Sequence, residues 1–139
     1  MRAEALDLSP KEGITRPTRV LVCDDEGRLA DLTAGLLRHS GYAAEAVVDG
    51  AAALARAARE PKVDVVLLDL NLAGTSSSDV LIGLAREQPA VRVILTSGYA
   101  AEDVPAALLH AQNVAGYLAK PYPVERLVAA IRSAAAESD

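Results

Sequence analysis

From Arg19 onward, short aliphatic runs alternate with segments whose apolar residues recur at intervals of three and four. The aliphatic runs have the length and β-branched character of strands, and the periodic segments carry the single apolar stripe of a packed helix. Strands are expected at RVLVCD (19–24), YAAEAV (42–47), VDVVLLD (63–69), VRVILT (91–96) and VAGYLA (114–119). A first helix is expected over about 27–39, closed by Ser40-Gly41, and a second from an Asp49-Gly50 cap to a stop before Pro61. A third spans about 78–88 ahead of Pro89, a fourth lies somewhere within 102–112, and a fifth runs from near Pro123 to about 136. Five strands alternating with five helices predict an α/β fold, a doubly wound parallel sheet covered on both faces. Such coverage explains why the third and fourth strands are apolar almost throughout.

In open sheets of this kind the ligand crevice lies beyond the carboxyl ends of the strands. Reading off those ends gives Asp24 and Asp25 after the first strand, Asp69 at the third, Thr96 at the fourth and Lys120 after the fifth. Three carboxylates drawn together repel one another, so keeping them ionised requires a compensating cation. All-oxygen donors suit Mg²⁺, with Mn²⁺ as a substitute. With a divalent ion and the Lys120 ammonium counted, three negative charges meet three positive ones, and the site invites a phosphoryl group.

The rest of the composition narrows the picture. At 139 residues with 51% hydrophobic content, the chain is long enough for one buried core and short for two. A formal net charge of −5 leaves no basic stripe for nucleic acid, so direct DNA or RNA binding is not expected. The single cysteine, Cys23, lies in an apolar run and reads as a small buried hydrophobe. Residues 1–18 mix charges with Pro10, Gly13 and Pro17 and read as a flexible leader or linker, with a domain over 19–136 and a tail at 137–139. With neither a signal-like apolar segment nor a membrane span, the cytoplasm is the expected compartment. His39 and His110 fall at helix ends, where imidazolium favours the dipole, and read as surface residues rather than metal ligands.

The acidic pair after the first strand, VLLD at the third, Thr96 at the fourth and YLAKP at the fifth together resemble the receiver domain of two-component response regulators. The resemblance covers residues 19 to about 136 and implies the flavodoxin-like receiver fold with sheet order 2-1-3-4-5. It implies that Asp69 is the phosphoacceptor, taking a phosphoryl group from a sensor histidine kinase or a histidine phosphotransfer domain. It further implies that Asp25 and Asp69 hold Mg²⁺ directly, Asp24 acts mostly through water, and the backbone carbonyl of Asn71 completes the protein ligands. Lys120 and Thr96 would bind phosphoryl oxygens, and Tyr117 would be the switch aromatic that responds to Thr96. The output would pass to a downstream protein or a homodimer through the face made by helix 4, strand 5 and helix 5. Lys120-Pro121 matches a peptide bond that is often cis in the family. Helix 1, with Leu29, Leu32, Leu36 and Leu37, offers more apolar surface than one buried face needs and matches the region that docks the kinase. On this reading the protein is a phosphorylated switch rather than an enzyme.

The chain departs from the family's pattern after the phosphoacceptor, where Leu72-Ala73 replaces Met-Pro and Ser77 replaces a Gly. A non-glycine residue in a left-handed conformation costs on the order of 1 kcal/mol, so an altered loop path is expected there. The serine-rich run Thr75 to Ser78 is expected to cap the third helix. Two other functions compete. A haloacid-dehalogenase-type phosphatase also uses an aspartate after a hydrophobic strand, but it needs a second Asp two positions on, where this chain has Asn71. A phosphorylation-independent docking module would keep the fold and discard the switch. The P-loop pattern G-x-x-x-x-G-K-[ST] is absent.

Overall fold

The computed structural model describes residues 16–72, 74 and 76–137. Its elements are β1 (Arg19–Cys23), α1 (Gly27–His39), β2 (Ala43–Val47), α2 (Gly50–Ala57), β3 (Val65–Asp69), α3 (Ser77–Glu87), β4 (Arg92–Ser97), a 3₁₀ turn (Ala101–Asp103), α4 (Ala106–Leu109), β5 (Val114–Ala119) and α5 (Val124–Glu137). All strand pairs are parallel, in the order β2-β1-β3-β4-β5, which is the expected 2-1-3-4-5 arrangement.

Alternation along the strands divides the core in two. Val20, Val22, Val65, Leu67, Ile94 and Leu118 pack on one face against Ala30, Ala34 and Leu37 of α1 and Leu127, Ile131 and Ala134 of α5. Leu21, Cys23, Val66, Leu68, Val93 and Leu95 pack on the other against Ala53 and Ala57 of α2 and Val80, Leu81 and Leu84 of α3. Central β3 is buried at every position, so its continuous apolar run is what both helix layers require. The α2–α3 contact is close at Gly83, where an added Cβ would stand 2.8 Å from Leu54 Cδ2.

Helix boundaries follow their capping residues. Asp49 accepts from Ala52 N at 2.7 Å and starts α2, and Ser76 accepts from Ser78 N at 3.1 Å and starts α3. Gly41, at φ 99°, follows Ser40 and turns the chain out of α1. The fourth helix falls within its expected range but is short, a single α-turn preceded by a 3₁₀ turn. Val104 is extended (φ −92°, ψ 136°) because it precedes Pro105, whose ring disfavours helical backbone at the residue before it.

The expected cost at Ser77 also does not arise. Ser77 is the first residue of α3, and the left-handed turn falls on Gly74 at φ 76°. The Ser77 hydroxyl is buried and shares its one proton between the carbonyls of Asp69 and Leu70, both at 3.2 Å, lashing the helix to the end of β3. Ala73 and Thr75 lie outside the described residues, as do residues 1–15 of the expected leader and the last two of the tail. The leader's final residues are in contact with the domain. Arg16 makes a bidentate pair with Asp64 (2.9 and 2.7 Å), and Asp64 also accepts from Arg19 N at 2.8 Å.

A buried arginine braces the sheet edge. Arg56 donates to Glu45 of β2 from Nε (2.9 Å) and Nη2 (2.8 Å), and to the carbonyls of Arg59 (3.1 Å) and Pro61 (2.8 Å). Hydrogen bonding from Arg56 outweighs burial and holds the Glu45 carboxyl below its ordinary value. A lowered carboxyl contributes stability that is complete above the unfolded value, about 4.3, and is lost as pH falls through the folded one. Arg56→Ala is expected to cost about 1–3 kcal/mol at pH 7, because it removes charge-assisted bonds and strands two carbonyls. In urea denaturation the gap between parent and Glu45→Gln should shrink as pH drops below about 4.

Candidate functional site

The alternation that sorts the core also places the polar residues. Asp24 follows Val20 and Val22 in phase, Asp69 follows Val65 and Leu67, Thr96 follows Ile94, and Lys120 follows Leu118, so all four project on the α1/α5 side at the strand ends. Asp69 and Thr96 are register partners on adjacent strands.

At this end of the sheet, one carboxylate oxygen each from Asp24, Asp25 and Asp69 lies within 4.8 Å of the others. Asp24 and Asp69 are buried, whereas Asp25 is exposed. Lys120 Nζ bridges the buried pair, 2.7 Å from Asp69 Oδ2 and 3.1 Å from Asp24 Oδ2. Backbone amides hold the other oxygens: Asn71 N donates to Asp69 Oδ1 and Glu26 N to Asp24 Oδ1, each at 2.9 Å. Burial pulls the Lys120 ammonium down, but hydrogen bonds and charge from Asp69 and Asp24 outweigh it, leaving its pKa above the ordinary lysine value. The ammonium therefore stays charged between the two buried carboxylates.

The group of three carboxylates suits a divalent cation. Oxygens on opposite sides of an octahedral Mg²⁺ stand about 4.2 Å apart, the scale on which these three carboxylate oxygens are gathered. The donor set is all oxygen, as that ion prefers. Thr96 is buried beside Asp69, and the Lys120–Pro121 bond is cis.

Tyr117 lies on the other face of the sheet. Its register partner is Leu95, so its ring points to the α2/α3 side, away from Thr96. Tyr117 Oη donates to the carbonyl of Tyr99 and lies 2.6 Å from Ser97 Oγ. Ser97 is fully buried and also accepts from Tyr99 N at 3.1 Å. Ser97 is a site residue that the sequence analysis does not single out. Period-two alternation was the available signal, because it puts Ser97 opposite to Thr96 and level with the Tyr117 face.

The chain belongs to the response regulator receiver domain family, whose family model matches residues 20–132. It is therefore a receiver domain of the kind found in bacterial two-component systems. It is 39% identical over 119 residues to the "Probable transcriptional regulatory protein TcrX" of Mycobacterium tuberculosis, covering 85% of this chain and 50% of that one. It is 42% identical over 118 residues to the "Sensory transduction protein RegX3" of Mycobacterium bovis, covering 84% and 50%. The chain thus spans about half the length of these curated relatives. Among solved structures, a CheY-like receiver domain protein from Methanospirillum hungatei superposes with a TM-score of 0.80 at 24% identity, covering 88% of this chain and 97% of that one. A receiver domain protein from Clostridium thermocellum gives 0.77 at 26%, covering 86% and 94%. Among the described residues no helix is long and apolar enough to cross a membrane.

Two outcomes follow from the site's electrostatics. Cys23 is buried beside Asp49, Asp24, Asp69 and Asp25, and burial followed by those charges pushes its thiol up to about 12. It should resist a thiol reagent such as DTNB at pH 8 in the native protein and react once in denaturant. Lys120→Met leaves the buried carboxylates facing one another and should lower stability by about 1–2 kcal/mol at low ionic strength without divalent ions. Titrating Mg²⁺ should raise the variant's melting temperature more than the parent's.

Proposed function

We propose that this receiver domain is a phosphorylation switch in which Asp69 accepts a phosphoryl group from a phosphohistidine of a sensor histidine kinase or a histidine phosphotransfer domain. The supporting observation is the Lys120 ammonium bridging Asp69 and Asp24 with Asp25 alongside. In the transfer, an Asp69 carboxylate oxygen forms a bond to phosphorus as the phosphorus–nitrogen bond of the donor breaks. The freed imidazole nitrogen keeps the electron pair. Asn71 N–H and Lys120 fix the Asp69 carboxylate, so its direction is set before the donor arrives.

Asp25 and Asp69 would hold Mg²⁺ directly, with the Asn71 carbonyl, and Asp24 would act mostly through water. When bound, the ion supplies charge that neutralises the phosphoryl oxygens. Lys120 and the Thr96 hydroxyl take the remaining oxygens, stabilising charge that spreads over them in an in-line transfer. The chemistry is placement and charge, with little acid–base work, which is why the protein is a switch rather than a turnover enzyme. Asn71 stands where a haloacid-dehalogenase-type phosphatase would carry its general acid, which weighs against that alternative. The altered surface is the one formed by α4, β5 and α5, read by a downstream protein or a second copy.

The donor docks on α1. Leu29, Leu32 and Leu36 and, after β5, Pro121, Tyr122 and Val124 line a groove of about 250 Å³ that also reaches Lys120. Leu32 is 60% exposed, an apolar side chain that a helical partner would cover.

Incubation with acetyl phosphate and Mg²⁺ tests the central step. Intact mass should show one labile phosphoryl adduct on the parent, none on Asp69→Asn and none after chelation of the metal. A parent that stays unmodified would favour the docking module, and steady release of phosphate from esters would favour the phosphatase. Leu32→Glu should slow transfer from a phosphorylated kinase by roughly tenfold or more while leaving acetyl phosphate labelling unchanged.

A further inference from the structure

The hydrogen bonds around Ser97 close on themselves. Tyr117 Oη spends its only proton on the Tyr99 carbonyl, so the proton in its 2.6 Å contact with Ser97 Oγ must come from the serine. Ser97 Oγ accepts in turn from Tyr99 N at 3.1 Å. The path runs from the Tyr99 amide through the serine and tyrosine hydroxyls to the Tyr99 carbonyl, beginning and ending on one residue. All three donors point the same way around it, an arrangement in which each bond polarises the next. Ser97 has no exposed surface, so removing its hydroxyl leaves the Tyr99 amide without that acceptor and the Tyr117 oxygen without that donor.

The position of this ring of bonds gives it a consequence. Ser97 follows Thr96 directly, with Thr96 on the acidic face of β4 and Ser97 on the other. Tyr117 belongs to edge strand β5, and Tyr99 opens the segment that leads into the 3₁₀ turn and α4. A displacement of the β4 end at Thr96 must carry Ser97 with it.

We propose that Ser97 is the positioning residue for the switch aromatic: its hydroxyl holds Tyr117 turned in against the sheet and makes Tyr117 and the Tyr99 backbone move as one unit when the end of β4 shifts. The inference rests on the receiver reading of Asp69 for the origin of that shift, but the resting hydrogen-bond ring does not depend on it. Tyr117 thus acts through its hydroxyl, and phenylalanine at that position does not replace it.

The composition makes the test clean, because the chain has four tyrosines and no tryptophan. Incorporation of 3-fluorotyrosine gives four fluorine resonances, for Tyr42, Tyr99, Tyr117 and Tyr122, each assigned by its Phe variant. In resting protein, Ser97→Ala should move or broaden the Tyr99 and Tyr117 resonances and leave the other two in place. Tyr117→Phe should move the Tyr99 resonance in the same direction, and the double variant should add nothing, since both changes break one ring. Acetyl phosphate with Mg²⁺ should shift Tyr99 and Tyr117 together in the parent, whereas in Ser97→Ala the Tyr99 resonance should no longer follow. Unchanged Tyr99 and Tyr117 resonances in Ser97→Ala, or additive shifts in the double variant, would overturn the role of Ser97. Should Ser97→Ala not fold, Tyr117→Phe decides alone: a stationary Tyr99 resonance counts against the ring. Absence of a phosphoryl adduct on the parent would instead count against the receiver reading, with the resting spectra still deciding the role of Ser97.

Discussion

Two buried carboxylates sharing one ammonium is the constraint around which the site is organised. Asp24 and Asp69 are buried together and need a positive partner, and Lys120 supplies it from the end of β5, two places from β3 and three from β1 in the sheet. That requirement ties the ends of β1, β3 and β5 to one point. It also accounts for a hydrophobic strand ending in a charge: the apolar run of β3 buries the strand in both helix layers and so delivers Asp69 to a fixed position. With Asp25 alongside, three carboxylate oxygens gather at that point, an all-oxygen group of the kind that could hold a divalent ion.

Much of the architecture was legible because hydrophobic period is a local signal. The alternation of runs located all five strands, and the caps at Asp49 and Ser76 and the Ser40-Gly41 exit fell where turn chemistry put them. The clustering of Asp24, Asp25, Asp69 and Lys120 was legible because parallel strands in an open sheet end on the same side. The fourth helix was located but not its shortness, since Val104-Pro105 separates the 3₁₀ turn from a single α-turn. Ser77 misled for another reason. Comparison with a family pattern suggested a strained backbone, but the local chain moves the left-handed residue to Gly74 and uses the serine hydroxyl as a tie.

The hardest features to read were those joining residues far apart in sequence through single polar atoms. Arg56 in an Ala-rich helix looks like a surface charge, yet it is buried against Glu45 and two carbonyls, a partnership fixed only once α2 lies on the edge strand. Ser97 and Tyr117 are similar. Each is unremarkable in its own strand, and they meet because β4 and β5 pair in one register. The same strand thus presents Thr96 to the acidic pocket and Ser97 to the tyrosine, with a sheet one residue thick between them.

The ion pairs at the opposite pole shape how the domain can be carried. Arg16 is clamped to Asp64 just before β3, and Glu137 at the end of α5 reaches Arg92 at the start of β4, with Nη2 to Oε1 at 3.2 Å. Chain entry and chain exit therefore sit side by side on the underside of the sheet, as on a plug with both leads at its base. A tether, surface linkage or neighbouring module attached there leaves the crevice unobstructed, so the domain can be mounted from below and still present its acidic end outward.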